Sequence, residues 1–390
     1  MLLQVDLPVL HPVLFEVVEQ RIRIRAVGAG VDDEFGGTDH RALHHTSARA
    51  GRLGSHPTMR AGAATMPMMK AAILRGLRDI VCDEVPMPGP DGQKALVQMH
   101  MASICGTDLH YVYHGWPRNT YPMEPGEPGH EGVGTIVDPG ETGLREGALV
   151  LTVPNIWEAR NFAEYQAVSP HFIIELPEGR PLAELMMAQQ LGTVIFAAQK
   201  LPEMAGKTAV VIGQGSAGLF HDFYLRRLGA ERIITIEPND DRRAAGVALG
   251  ADEALDVTGD AAVDAVLELT DGQGAEVIVD AVGGHETLDQ AVRMAKAEGH
   301  VHVFGLPTGF DPVPFDLGTY FLKRLDVRTI FGAQDEPGLV SFRQALRLIA
   351  EGEIDMSPYV THTLALERVG DAFELAHEPS GGALKVSLTM

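Results

Sequence analysis

From Met69 onward the hydrophobic positions fall in short runs, rich in β-branched residues and broken by Gly and Pro. The runs Met69–Ile73, Ile80–Val85, Ala95–Met101, Thr135–Val137, Ala148–Val153 and Ala163–Val168 read as strands. Pro86, Pro88, Gly89, Pro90 and Gly92 mark turns between them, and Pro177–Gly179 closes the series. The period then changes. Glu184–Leu201 is apolar at helical spacing, interrupted only by Gly192, and is predicted to bridge two domains. Beyond it, apolar runs alternate with helical segments: strand Thr208–Ile212, helix Ala217–Leu228, strand Arg232–Ile236, strand Glu276–Val282, helix Glu286–Ala297, strand His300–Phe304 and strand Val327–Phe331. Such alternation predicts a doubly wound parallel sheet with right-handed crossovers.

Residues 1–65 differ from the rest. They hold seven Arg and no Lys against seven Asp plus Glu, so the remaining residues carry the whole net charge of −22. His40, His44, His45 and His56 lie there among Gly, Ala, Arg and Ser, without hydrophobic period after Val31. The composition reads as a disordered extension rather than a metal tract. Met1–Leu10 lacks a basic start and is interrupted by Asp6, unlike a secretory signal.

At 390 residues the chain is too long for a single core. Its Lys plus Arg count of 31 against 53 Asp plus Glu argues against nucleic acid or an anionic membrane as partner. No run of 18 apolar residues appears, so no membrane span is expected. The two cysteines, Cys82 and Cys105, form no disulfide framework and fit a reduced, cytoplasmic setting.

The chemistry concentrates in two stretches, Cys105-Gly-Thr107-Asp-Leu-His110 and Gly129-His130-Glu131-Gly-Val-Gly134. Thiolate and imidazole suit zinc, and a catalytic zinc takes three protein ligands with one position open. Downstream, Gly213-Gln-Gly215-Ser216-Ala-Gly218 follows a predicted strand and opens a predicted helix. In that setting the first Gly permits a tight turn, the second lets backbone approach a pyrophosphate, and the third lets helix and strand pack closely. Glu237, 19 residues beyond Gly218, stands where a carboxylate accepts hydrogen bonds from ribose hydroxyls, which favours NAD over NADP. Arg242 nearby suits a 2′-phosphate and pulls the other way, while Asn239, Asp240 and Asp241 restore the preference for NAD.

With these three motifs in this order, the chain from Met66 to Met390 resembles the zinc-dependent medium-chain dehydrogenases, the family of alcohol, polyol and sugar dehydrogenases. The resemblance implies an α/β architecture: a GroES-like, partly open β-barrel catalytic domain over residues 66–190, completed by 333–390, and a Rossmann domain over 191–332. It implies one catalytic zinc; two cysteines exclude the four-cysteine structural zinc site of many relatives. Cys105 and His130 are the implied ligands. Matching Leu191-Gly-Thr193-Val to the family's interdomain helix puts Gln189 in the third ligand position, as in the archaeal-type glucose dehydrogenases, with Glu131 as the other candidate or as a group orienting the site. Thr107 is implied to take the hydroxyl proton and pass it through the nicotinamide ribose to His110. Lys385 is a candidate for the cofactor pyrophosphate, and Tyr111, His114, Trp116, Asn155 and Trp157 are pocket candidates. The implied function is hydride transfer from a secondary alcohol, polyol or sugar hydroxyl to NAD by a homodimer or homotetramer. Two rivals remain open: a metal-free, NADPH-dependent quinone or enoyl reductase of the same superfamily, and a non-catalytic dinucleotide-binding protein.

Overall fold

The computed structural model describes residues 67–89, 92–116, 120–309 and 311–390; the N-terminal extension, with His40, His44, His45 and His56, and the turn at Pro90 lie outside them. Residues from Ala64 to Met390 form one compact unit. A hairpin comes first, β1 (Met68–Gly76) with β2 (Asp79–Pro86). It joins the next sheet through the bridge Ala71–Ala163 and the bond from Ala72 N–H to Phe162 O at 2.8 Å.

A seven-stranded sheet follows, built from β3 (Ala95–Ser103), β4 (Gly132–Asp138), β5 (Leu149–Thr152), β6 (Tyr165–Val168) and β7 (Ile173–Glu175). After an interval the chain supplies β8 (Thr208–Ile212), β9 (Arg232–Ile236), β10 (Glu253–Leu255), β11 (Ala275–Asp280), β12 (Ala295–Val303) and β13 (Asp326–Thr329). β14 (Val360–Ala365) and β15 (Lys385–Thr389) then return to the first large sheet, whose order is β14-β15-β3-β4-β5-β7 with β6 also on β3. Its pairs are antiparallel except β14 with β15. Along β3 the residues Ala95, Val97 and Met99 alternate inward, as a period of two requires, and join Ile136, Val150 and Phe172 in one core.

The six strands β8 to β13 form a wholly parallel sheet in the order β10-β9-β8-β11-β12-β13. β8, β9 and β11 are buried almost throughout, as strands covered on both faces must be. The order reverses between β8 and β11, and the crevice beyond their carboxyl ends is where ligands of such sheets bind.

The bridging segment is two helices, not one. Leu182–Met186 and Ala188–Ala198 meet at Met187, and Leu201 lies beyond the second. Leu191, Val194 and Ile195 share one core with Val133 and Leu151 of the mixed sheet and with Leu219 and Phe220 of the helix Ser216–Arg227. Gly192 is there because a Cβ would lie 2.5 Å from Phe342 of the helix Val340–Ala350. The segment Glu286–Ala297 is also shorter as a helix than its spacing predicts. That helix ends at Met294, and Ala295 turns extended at φ −70°, ψ 141° because β12 begins there, Ala295 pairing with Ala275. Tertiary pairing overrides the helical preference of the Ala-Lys-Ala-Glu segment.

Candidate metal and dinucleotide site

β3 ends at Ser103, and Ile104 N–H is tied to Val386 O at 2.9 Å. Cys105 then caps the helix Gly106–Leu109, whose third residue, Asp108, turns its carboxylate back to accept the Cys105 N–H at 2.8 Å. This reciprocal cap fixes the backbone of Cys105. The helix runs on as a π turn, His110–His114, and stops at Gly115 with φ 64°.

The second stretch is held from outside by Asn161 and Phe162. A Cβ on Gly129 would lie 2.8 Å from Phe162, and one on Gly132 would lie 2.8 Å from the Asn161 amide. With its amide turned to satisfy both ends, the Asn161 side-chain oxygen accepts the N–H groups of Glu131 at 3.2 Å and Gly132 at 2.9 Å, and its nitrogen donates to Gln166. Glycine at both positions therefore lets the loop carrying His130 and Glu131 press against this clamp.

These two stretches converge. One donor atom each from Cys105, His130 and Glu131 lies within 4.8 Å of the others. His130 is buried; its Nδ1 lies 3.0 Å from Asp108 Oδ1 as an ion pair and makes its hydrogen bond to Pro128 O at 3.3 Å, which leaves Nε2 for a ligand. Burial alone would keep this imidazole neutral, but Asp108 and then Cys105 outweigh it, so His130 holds a proton well above the ordinary histidine range. Glu131 Oε2 accepts from Lys385 Nζ at 2.6 Å and from Ser103 Oγ, while Oε1 is buried with no partner among the described residues. Burial opposes the charge of Glu131, yet Lys385, His130 and Ser103 win and hold its carboxyl below the usual value. A thiol, an imidazole braced by a carboxylate, and a carboxylate with one free oxygen form a donor set that fits zinc.

Lys385 is therefore not a surface base offered to a phosphate. It is 2% exposed on β15, its ammonium committed to Glu131 and, at 3.5 Å, to Gln190 Oε1. Gln189 is buried in the first turn of the helix Ala188–Ala198, one residue before Gln190, with Thr193 Oγ1 donating to its backbone oxygen at 3.1 Å. That turn thus abuts the Lys385–Glu131 pair. Thr107 Oγ1 lies 3.9 Å from Cys105 Sγ. His110 has a buried Nδ1 without a partner among the described residues, and burial, then His114, push its imidazole down to about 4. His114 stands 5.3 Å and Trp116 6.4 Å from its ring. Tyr111 is core, donating to Ile156 O, and Asn155 caps the turn that contains Trp157.

At the second motif Gly213 has φ 88°, a conformation that side chains disfavour. A Cβ on Gly218 would lie 1.9 Å from Gly213 O, whereas Gly215 has open space beside it. Ser216 opens the helix Ser216–Arg227, so its amides face the same opening. Glu237 lies at the end of β9 with Oε2 accepting Gln214 N–H at 2.7 Å and Oε1 accepting Asn239 N–H at 2.9 Å. Arg242 is half-buried one turn into the next helix, its Nε without a partner among the described residues. Sequence reasoning did not find Asp108, Ser103 or Asn161 as parts of the site; the Asp108 signal was present, three residues after Cys105.

Two family models match in chain order: the alcohol dehydrogenase GroES-like domain over residues 91–178 and the zinc-binding dehydrogenase over 218–351. An L-threonine 3-dehydrogenase of Bacillus velezensis is 28% identical over 327 residues, spanning 77% of this chain and 92% of its own. Among solved structures, the alcohol dehydrogenase TADH of Thermus sp. ATN1 superposes with a TM-score of 0.72 at 25% identity, covering 83% of this chain and 100% of that one. A candidate zinc-binding dehydrogenase of Sinorhizobium meliloti 1021 bound to NADP shares the fold, with a TM-score of 0.71 at 24% identity over 83% of this chain and 100% of that one.

Proposed function

We propose that this chain, which belongs to the zinc-dependent medium-chain dehydrogenases, oxidises a secondary alcohol, polyol or sugar hydroxyl with NAD. That it is a zinc-dependent oxidoreductase of the alcohol type, using a nicotinamide cofactor, follows from the family; the substrate class, the dinucleotide and the residue roles are our reading. The observation that carries it is the convergence of Cys105, His130 and Glu131 within 4.8 Å, beside Thr107.

When bound, the metal supplies Lewis acidity that makes a hydroxyl far more acidic, and the nicotinamide supplies the hydride acceptor. Cys105, His130 and Gln189 would hold the metal, with Glu131 Oε1 as the nearby carboxylate donor. Pro128 O, accepting from Nδ1, would fix the tautomer of His130, with the Asp108 carboxylate 3.0 Å away orienting the ring by its charge. The Thr107 hydroxyl takes the substrate proton as it gives up its own, and the proton released passes toward solvent by way of His110, neutral above pH of about 4. Glu237 meets the adenosine ribose hydroxyls, Gly215 and Ser216 the pyrophosphate. The Arg242 guanidinium would suit a 2′-phosphate, and the Sinorhizobium neighbour holds NADP; the carboxylate of Glu237 supports NAD instead. Residues 66–190 with 333–390 then form the catalytic domain and 191–332 the nucleotide domain. The Bacillus relative is a threonine dehydrogenase, and the threonine hydroxyl is itself a secondary alcohol.

Leu317, Phe321 and Leu322 are 64%, 74% and 75% exposed on the helix Leu317–Lys323, which follows β12 and leads into the edge strand β13. So exposed an apolar face beside a sheet edge supports a homodimer or homotetramer in which a second copy would cover it. No helix among the described residues is long and apolar enough to cross a membrane, and both cysteines are free, which suits a reduced cytoplasmic setting. The test is a panel of secondary alcohols, polyols and aldoses assayed with NAD and NADP, with zinc measured in wild type, Gln189→Ala and Glu131→Ala. Turnover with NAD and loss of zinc in Gln189→Ala are expected. Loss of zinc only in Glu131→Ala reassigns the third ligand, and a zinc-free wild type defeats the reading.

A further inference from the structure

The parallel-sheet half holds a buried acid that the reaction above does not use. Asp222 sits within the helix Ser216–Arg227 at 0% exposure, and neither carboxyl oxygen has a hydrogen-bond partner among the described residues. Gln214, equally buried, presents its side chain to Asp222 from the loop between Gly213 and Gly215. Its amide nitrogen donates to Gly213 O at 3.3 Å, which orients the group and leaves the amide oxygen without a donor. The two side chains meet in front of Gly246, on the helix Asp240–Leu249. A Cβ there would lie 2.6 Å from Gln214 Oε1 and 3.5 Å from Asp222 Oδ2. An ionised carboxylate in this place would set acceptor against acceptor, buried and unpaired.

We infer that Asp222 is a neutral carboxylic acid in the folded protein, that its O–H donates to Gln214 Oε1, and that this bond positions the glycine loop for the dinucleotide. Burial favours the neutral form strongly enough to outweigh the opposing pull of Arg226; Gln214 would favour the ionised form only by donating to it, and its amide N–H is turned to Gly213 O. Arg226 is the charged group of the same helix that acts on it; Tyr359, stacked on Phe220 at 4.4 Å, is the titratable group from the C-terminal segment. The Tyr359 hydroxyl makes no hydrogen bond to either oxygen. The glycine loop and the helix Asp240–Leu249 contribute Gln214 and Gly246, both uncharged. Because Gln214 N–H also donates to Glu237 Oε2 at 2.7 Å, fixing Gln214 fixes the carboxylate that faces the ribose. Asp222 is thus a positioning residue. The inference rests on the dinucleotide reading above.

The test is NADH and NADPH binding by the full chain, followed by fluorescence between pH 6 and 10, in wild type, Asp222→Asn and Asp222→Leu. An amide N–H can donate at every pH, so Asp222→Asn should stay within about twofold of wild type at pH 7. Asp222→Leu should bind about fivefold to tenfold more weakly while its unfolding midpoint holds or rises, since a desolvated carboxyl has gone. Wild type should weaken relative to Asp222→Asn as pH rises and the acid ionises. Wild-type affinity in Asp222→Leu, equal weakening in both variants, or identical pH profiles for wild type and Asp222→Asn would overturn the inference and leave the dinucleotide reading intact. A wild type that binds neither dinucleotide would remove that reading, and the inference with it.

Discussion

Replacing Lys385 by Met separates the charge of the site from its shape. Lys385 and Glu131 are 2% and 1% exposed, with Nζ to Oε2 at 2.6 Å. At an effective dielectric of 20, charges this close attract by about 6 kcal/mol, part of which offsets the cost of taking both out of water. Methionine fills nearly the same volume, so the loss comes from leaving Glu131 ionised, buried and uncompensated. Breaking such a pair costs roughly 3–5 kcal/mol. Urea unfolding of the zinc-free protein at pH 7 should show that loss, while Lys385→Met with Glu131→Gln should recover most of it, since neither charge then remains. The dependence on pH follows from both partners. The carboxyl is held low, so its contribution is present above the unfolded carboxylate value and lost as pH falls through the folded one. The ammonium, though burial opposes it, is held high by Glu131 and then Cys105, so its contribution is present below the unfolded lysine value and lost as pH rises through the folded one. A destabilisation under about 1 kcal/mol, or a double variant no better than the single, would refute a working ion pair at this position.

Other consequences can be checked separately. With its imidazole pushed down to about 4, His110 is unprotonated throughout the neutral range and would pass a proton on to solvent without holding it. His110→Ala should cut turnover about 10²-fold with partial rescue by added imidazole, and the wild-type profile should show no limb near 6.5 from this group. Gly218→Ala, whose Cβ would come 1.9 Å from Gly213 O, should destabilise by roughly 1–3 kcal/mol and weaken NADH binding in a direct titration. Phe321→Glu with Leu322→Glu should shift sedimentation toward monomer without changing the zinc content.

The glycine motif was legible because its constraints are local: one left-handed φ at Gly213 and one close backbone approach at Gly218 are demanded by the turn itself. The strands β8 and β9 matched their apolar runs for the same reason. What escaped depends on contacts distant in sequence. Lys385 reads as a base for the cofactor pyrophosphate until β15 is laid beside β3, with Ser387 opposite Ser103. Asn161 reads as a loop residue until it is seen holding the amides of Glu131 and Gly132. The break at Met187 and the early end of the helix His285–Met294 are likewise set by neighbours, not by local preference.

The proposed reaction requires a metal held by the Cys105 thiolate and the His130 imidazole. Its most direct measurement is the zinc content and alcohol oxidation of purified Cys105→Ser beside wild type, with NADH binding measured on the same samples. Wild type should carry zinc and turn over, while the variant should lose both and still bind NADH. A variant that keeps its zinc and its turnover would contradict the claim.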